Sequence, residues 1–210
     1  MCGRYSIYDA MDDYLRHLAA DRTVINGYDH ERINRYNVAP STRVELIRQT
    51  SDGLRVDRVK WGWAPFWAKG KRPDPINARA ETVMTGKFFK ALWPVGRALA
   101  PANGWFEWIP DPADPKRKQP YYITAANNEP LFFAALAEVH GGLEPDDRDG
   151  FVIITAAADE GMGSTVNSLT LPANNLASAR KVAAHLEAIA NGKLDTADMP
   201  HFEPVLADVA

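Results

Sequence analysis

Apolar and polar positions alternate with a period near two along much of this chain, and at a few places the period lengthens to between three and four. The opening CGRYSI reads as a strand. From about Asp9 to Ala20, Met11, Tyr14, Leu15 and Leu18 recur at helical spacing, while Asp12, Asp13 and Arg16 fall on the opposite side, so an amphipathic helix is expected. His17 lies on its margin and reads as a surface residue. In RYNVAPS, Arg35 to Ser41, Pro40 bars a helix and holds Ala39 extended. Two strands follow, Val44 to Arg48 and Leu54 to Trp63. In the second, Leu54 and Val56 are out of step with Val59, Trp61 and Trp63, which predicts a bulge near Arg58. Prolines and cations make Ala64 to Pro75 an exposed, stiffened basic loop. Ile76 to Thr82, if extended, carries Asn77, Arg79 and Glu81 on one side. A short helix bearing Phe88, Phe89, Leu92 and Trp93 is expected to end before Pro94.

Farther on, the YYIT, PLFFAALAEV and FVIITAAA segments read as three buried strands, separated by a proline-rich loop and by GGLEPDDRDG. A last helix is expected from about Asn175 to Ala190, stopped by Asn191 and Gly192. Many short strands with few helices give an α+β chain, mostly β in its core, and 210 residues suit one domain over residues 1–210.

Composition changes this picture in two ways. A single cysteine, Cys2, excludes an internal disulfide framework or a cysteine-rich zinc site and fits a reducing compartment, and the histidines at 17, 30, 140, 185 and 201 lack metal-ligand spacing. No metal or other cofactor is expected. With no signal-peptide core and no apolar run of membrane-spanning length, a cytoplasmic, monomeric protein is expected, without a membrane partner. The net charge of −3 hides an asymmetry. Between Arg55 and Arg97 stand ten Lys or Arg against Asp57, Asp74 and Glu81, and from Glu138 to Asp208 twelve acids stand against four bases. All six tryptophans, at 61, 63, 67, 93, 105 and 108, lie in or just beyond the basic stretch. Cations interleaved with aromatic rings suit single-stranded nucleic acid, since the cations follow phosphates and the rings stack on bases. Core packing claims four of the six tryptophans in this reading.

Two places carry candidate chemistry. Removal of Met1, usual when the second residue is small, would leave Cys2 with an α-amine beside its thiol. The amine has a reference pKa of about 7.7–8.0 and the thiol of about 8.5, so both are partly reactive at cellular pH. Such a 1,2-aminothiol condenses with an aldehyde to a Schiff base, and the thiol then closes a five-membered thiazolidine. On position alone, an ordinary terminal cysteine of no consequence is the better reading. In RALAPANGWFEW, Glu107 lies between Phe106 and Trp108; flanking rings would desolvate it and raise its pKa, whereas on the wet face of a strand it would be an ordinary carboxylate. Asn37 is equally open, as a ligand donor or as a turn residue bonded to its own backbone.

MCGRY, RYNVAP, WGWAPFW, INARAET, GWFEW and ITAAAD, in this order and spacing over Met1 to about Asp159, resemble the SOS-response-associated peptidase family of abasic-site sensors. The resemblance implies a barrel-like β core with flanking helices, a positively charged groove and an active site on the mature amino-terminal cysteine. It implies Cys2 as nucleophile toward the aldehyde of an abasic site in single-stranded DNA, Asn77 as the group positioning the amino terminus, and Glu107 as a proton shuttle. Arg4, Arg79, Trp67 and Trp108 match positions that hold phosphates or stack on flanking bases, and Asn37 and Pro40 line the same groove. The peptidase label would correspond to removal of Met1. The family's His-x-Arg-x-Pro motif is absent: alignment on Pro172 sets Ser168 at the His position and Thr170 at the Arg position. Serine does not replace imidazole as a proton donor near neutrality, so the expected activity is slowed or less reversible. HFEPV, at 201–205, resembles the start of the family's closing strand. A diverged or phage-borne member has this form. Two other readings stay open: a strand-binding module that has lost the chemistry, and an amino-terminal-nucleophile peptidase.

Overall fold

A computed structural model describes residues 2–18, 23–111, 113–114, 116–125, 127–140 and 146–156, with the backbone of two further strands at 169–170 and 204–208. The expected helix at 175–190 and positions 168 and 172 lie outside the described residues.

The elements in chain order are β1 (Tyr5–Ile7), α1 (Met11–His17), β2 (Arg35–Val38), β3 (Arg43–Gln49), β4 (Leu54–Lys60), β5 (Asn77–Arg79), α2 (Ala80–Val83), β6 (Arg97–Ala102), β7 (Gly104–Pro110), β8 (Lys118–Ala125), β9 (Leu131–Glu138), β10 (Gly150–Ala156), β11 (Leu169–Thr170) and β12 (Pro204–Asp208). They form two sheets, ordered β12-β8-β7-β1-β2 and β11-β10-β9-β6-β3-β4, with β5 parallel to β10. The chain is mostly β with short helices, as expected. The expected barrel-like core is not a closed barrel: among the described residues the strands form two sheets, and the chain just past β4 reaches β10 through a bridge from Trp61 to Phe151. The HFEPV segment runs into β12, antiparallel to β8.

The core lies where the two sheets face each other. Tyr5 of β1 meets Trp61 edge-on at 5.2 Å and Phe133 of β9 at 5.6 Å, and Trp105 of β7 meets Phe133 at 5.9 Å. Edge-to-face pairs of this kind add to the burial of large rings. In β9 and β10 nearly every side chain is buried, because both faces of these strands are covered, so they read as continuous apolar runs. β8 departs from that expectation: only Ile123 and Ala125 are buried, and the rest is half-buried or exposed, as suits a strand one place from the end of its sheet.

Other expectations need correcting. α1 starts two residues late, since Ala10 is extended and bridges Arg32, and it ends at His17 with Leu18 extended. Asp13 caps it by accepting the Ala10 N–H at 3.2 Å, and acids in its first turn with Arg16 and His17 in its last suit the helix dipole. β3 and β4 pair in unbroken register from Arg43↔Lys60 to Gln49↔Leu54, so there is no bulge at Arg58. The apolar positions change phase there because β4 buries one face at its start, with Leu54 and Val56, and the other at its end, with Val59 and then Trp61. Glu81 falls in the helical turn α2 and is not on the face shared by Asn77 and Arg79. The expected helix around Phe88 is a chain of turns, with bonds such as Lys90 N to Gly86 O and Trp93 N to Phe89 O, both 3.1 Å.

Candidate functional site

The amino-terminal segment enters along β7. The register Tyr5↔Trp105 and Ser6↔Gly104, continued by the Phe106 N–H to Arg4 O bond of 2.9 Å, sets Gly3 against Glu107. Opposed residues in an antiparallel pair share a face. Glu107 therefore points to the same covered side as Tyr5 and Trp105, and it is 8% exposed. Phe106 and Trp108 do not bury it between them: Phe106 points to the other side, packed against Tyr122 at 4.8 Å, and Trp108 is 40% exposed. The expected desolvation is present, but strand phase causes it. Burial raises the pKa of Glu107 above its ordinary value, while the charge of the chain's amino terminus, and a hydrogen bond with it, pull the other way.

Asn77 comes to the same place from the second sheet. As the first residue of β5 it lies opposite Ile153 of β10, and its Nδ2 donates to the Cys2 carbonyl at 2.9 Å. Cys2 is fully buried, with its Sγ 3.7 Å from the Arg4 carbonyl. Tyr5 is buried beside it, and its phenol is pushed well above the ordinary range, first by burial and then by the neighbouring Cys2 thiol. The site thus joins three elements: the amino terminus, a carboxyl from β7 and an amide from β5. Were Met1 removed, a Cys2 amine beside its thiol, with an acid of raised pKa close by, could carry out carbonyl condensation with proton transfer to the oxygen that leaves.

The remaining expected residues divide. Arg4 Nη1 donates to Asn37 Oδ1 at 3.3 Å, so Asn37 lies in strand β2 facing solvent and does not bond its own backbone. Pro40 sits in a turn from Ala39 to Thr42, where Ser41 has φ of 67°, an arrangement that suits Pro at the second turn position. Arg79 is exposed, two residues from Asn77 on the same side of β5. Trp67 is apart from these, in an aromatic group with Phe88 at 5.4 Å. Four tryptophans, 61, 63, 93 and 105, are buried, and the two exposed ones are Trp67 and Trp108.

Sequence reasoning missed two groups. Thr155, opposite Arg79 on β10, is fully buried, and its Oγ1, like Asn77 Oδ1, has no hydrogen-bond partner among the described residues. The signal lies in ITAAAD, which reads as a strand and a family motif with no role for its threonine. Asn103 anchors the far end of β1: its Oδ1 accepts from Tyr8 N at 2.8 Å and from the Tyr14 hydroxyl, and its Nδ2 donates to Asp9 at 2.6 Å. The Tyr122 hydroxyl, pushed up to about 12 by burial, bonds Ser6. His140, Asp146 and Asp149 also gather, with ligand atoms within 4.8 Å, but Asp149 is taken by His140 at 2.9 Å and Asp146 by Arg148.

Comparison with known proteins gives the family. Residues 1–168 match the family described as SOS response associated peptidase (SRAP). The chain is 44% identical over 166 residues to the abasic site processing protein YedK of Escherichia coli, covering 77% of this chain and 70% of that one. It is 32% identical over 162 residues to the abasic site processing protein YoqW of Bacillus subtilis, covering 76% and 70%. Among solved structures, a phage-related protein of Bordetella bronchiseptica matches with a TM-score of 0.71 and 28% identity, over 98% of this chain and 94% of that one. With the family match spanning most of its length, the chain belongs to the SOS response associated peptidase family.

Proposed function

We propose that this protein acts in the DNA-damage response by linking Cys2, once Met1 is removed, to abasic sites in single-stranded DNA as a thiazolidine. The observation that carries the reading is the convergence on the Cys2–Gly3 segment of Asn77, which donates to the Cys2 carbonyl, and of Glu107, which is buried opposite Gly3. The names of the relatives, abasic site processing proteins, support the substrate.

In this reading the ring-opened sugar offers its aldehyde to the Cys2 amine. A C–N bond forms, Glu107 in its protonated state gives its proton to the departing oxygen, and water leaves as the Schiff base is made. The Cys2 sulfur then adds to the same carbon, its proton returns to the Glu107 carboxylate while the nitrogen keeps the one it carries, and the ring closes with no further reactant. Asn77 holds the Cys2 carbonyl and so fixes where the amine points. Arg4, Asn37 and Pro40 line the strand path, Arg79 holds a phosphate, and Trp67 and Trp108 stack on flanking bases. The peptidase label is accounted for if Met1 is removed at this same site. The protein acts as a monomer in the cytoplasm, where a lone thiol stays reduced.

Ser168 at the position of the family His favours a second reading, a strand-binding member that forms no bond. Denaturing electrophoresis separates the two. An oligonucleotide with one abasic site is expected to give a shifted band with the protein, and neither an intact strand nor Cys2→Ala gives one. Retention under native conditions with no band after denaturation would overturn the crosslinking reading in favour of the second.

A further inference from the structure

The loop that leads into Asn77 carries the most exposed large apolar side chain among the described residues. Its base is closed by Trp63 N to Pro75 O at 3.0 Å, two residues before Asn77. A turn from Pro65, with Ala68 N bonded to Pro65 O at 2.8 Å, buries Ala68 and turns Phe66 outward, 90% exposed. Its neighbour Trp67 is 41% exposed and is braced: Phe88 meets it edge-on, and the Lys87 ammonium lies 5.8 Å from its ring centre. Arg72 lies 4.7 Å from the Phe88 ring centre, and Lys69 bonds the Asp147 carbonyl, tying the loop to the approach to β10. From Ala64 to Arg97 the chain carries seven Lys or Arg against two acids, Asp74 and Glu81, and Asp74 is engaged by Lys60 at 2.8 Å.

An exposed ring in a field of cations is ill suited to a protein partner, since interface centres are depleted in charge. It suits a single nucleic-acid strand, whose phosphates match the cations and whose bases offer a flat face to any ring. We propose that Phe66 is a stacking platform for a base of the bound strand, on the flank of the abasic site that leaves past β5, one base beyond the position held by Trp67. This rests on the strand-binding reading above and adds a contact to it: the site takes a longer strand than the reacting sugar and its two neighbours require.

Fluorescence anisotropy with dye-labelled intact single strands, shortened stepwise from either end, tests this. Phe66→Ala is expected to weaken binding of the full-length strand about 5- to 150-fold, the range for loss of one stacked base. Phe66→Trp restores it and Phe66→Leu does not. Shortening one flank, and not the other, removes the difference between Phe66→Ala and wild type, and crosslinking to a full-length abasic strand shows the same shift in half-saturating concentration. Equal binding of wild type and Phe66→Ala at every length, while wild type still crosslinks, would overturn the inference and leave the proposed function standing. Absence of both binding and crosslinking by wild type would overturn both.

Discussion

At position 107 a carboxyl sits on the covered face of β7, and burial favours its neutral form. The folded state therefore holds the proton to higher pH than the unfolded chain does. The stabilising contribution is full below the ordinary carboxyl value of about 4.3 and is lost as pH rises through the raised folded value. Urea unfolding at a series of pH values is expected to show Glu107→Gln gaining on wild type as pH rises from about 4, then running parallel to it. The same variant should slow adduct formation by about 10²–10⁴, the scale for loss of one general acid. Asn77→Ala removes the donor to the Cys2 carbonyl, costing about 0.5–1.5 kcal/mol of stability in thermal unfolding and lowering the adduct rate about tenfold. Single residues were partly legible in the sequence. Flanking rings, visible in a string of letters, point to Glu107, but what buries it is strand phase relative to a distant sheet, which the letters do not show. Thr155 was passed over because a buried hydroxyl in an apolar run looks like an ordinary strand residue.

Between elements, the site depends on how closely β1, β7 and β8 approach. A Cβ on Gly104 would lie 2.5 Å from the Ile123 carbonyl and 2.7 Å from the Tyr122 ring, closer than side chains ever pack. Gly104→Ala must push β8 away from β7, and we expect a loss of about 1–3 kcal/mol in denaturant unfolding, together with a slower adduct-forming step. A Cβ on Gly150 would likewise lie 2.4 Å from the Gly62 carbonyl, and Gly62 itself has φ of 129°, so the WGW turn and the start of β10 need both glycines. The strands were legible because their periodicity is strong. β4 has no bulge because a phase change along one strand also arises when different faces are covered at its two ends. The turns around Phe88 mimic helical spacing because three- and four-residue bonds alternate there without settling into a helix.

Across the whole molecule, the charge asymmetry along the chain sets how binding responds to salt. If the basic stretch follows phosphates, the logarithm of affinity for an intact single strand falls linearly with the logarithm of salt concentration, by about 0.7 for each phosphate neutralised. Arg79→Ala should lower that slope by about 0.7 while weakening binding to all sequences alike, which titrations at several salt concentrations would show. An unchanged slope would remove Arg79 from the strand path. The central claim is that Cys2 becomes part of a thiazolidine with the sugar, and it is tested most directly by the intact mass of the purified adduct. The account predicts the sum of the chain lacking Met1 and the oligonucleotide less one water, unchanged by borohydride and by a thiol-alkylating reagent, since both the imine and the thiol have been consumed. A mass that rises on borohydride treatment or on alkylation, or an adduct formed by Cys2→Ala, would contradict it.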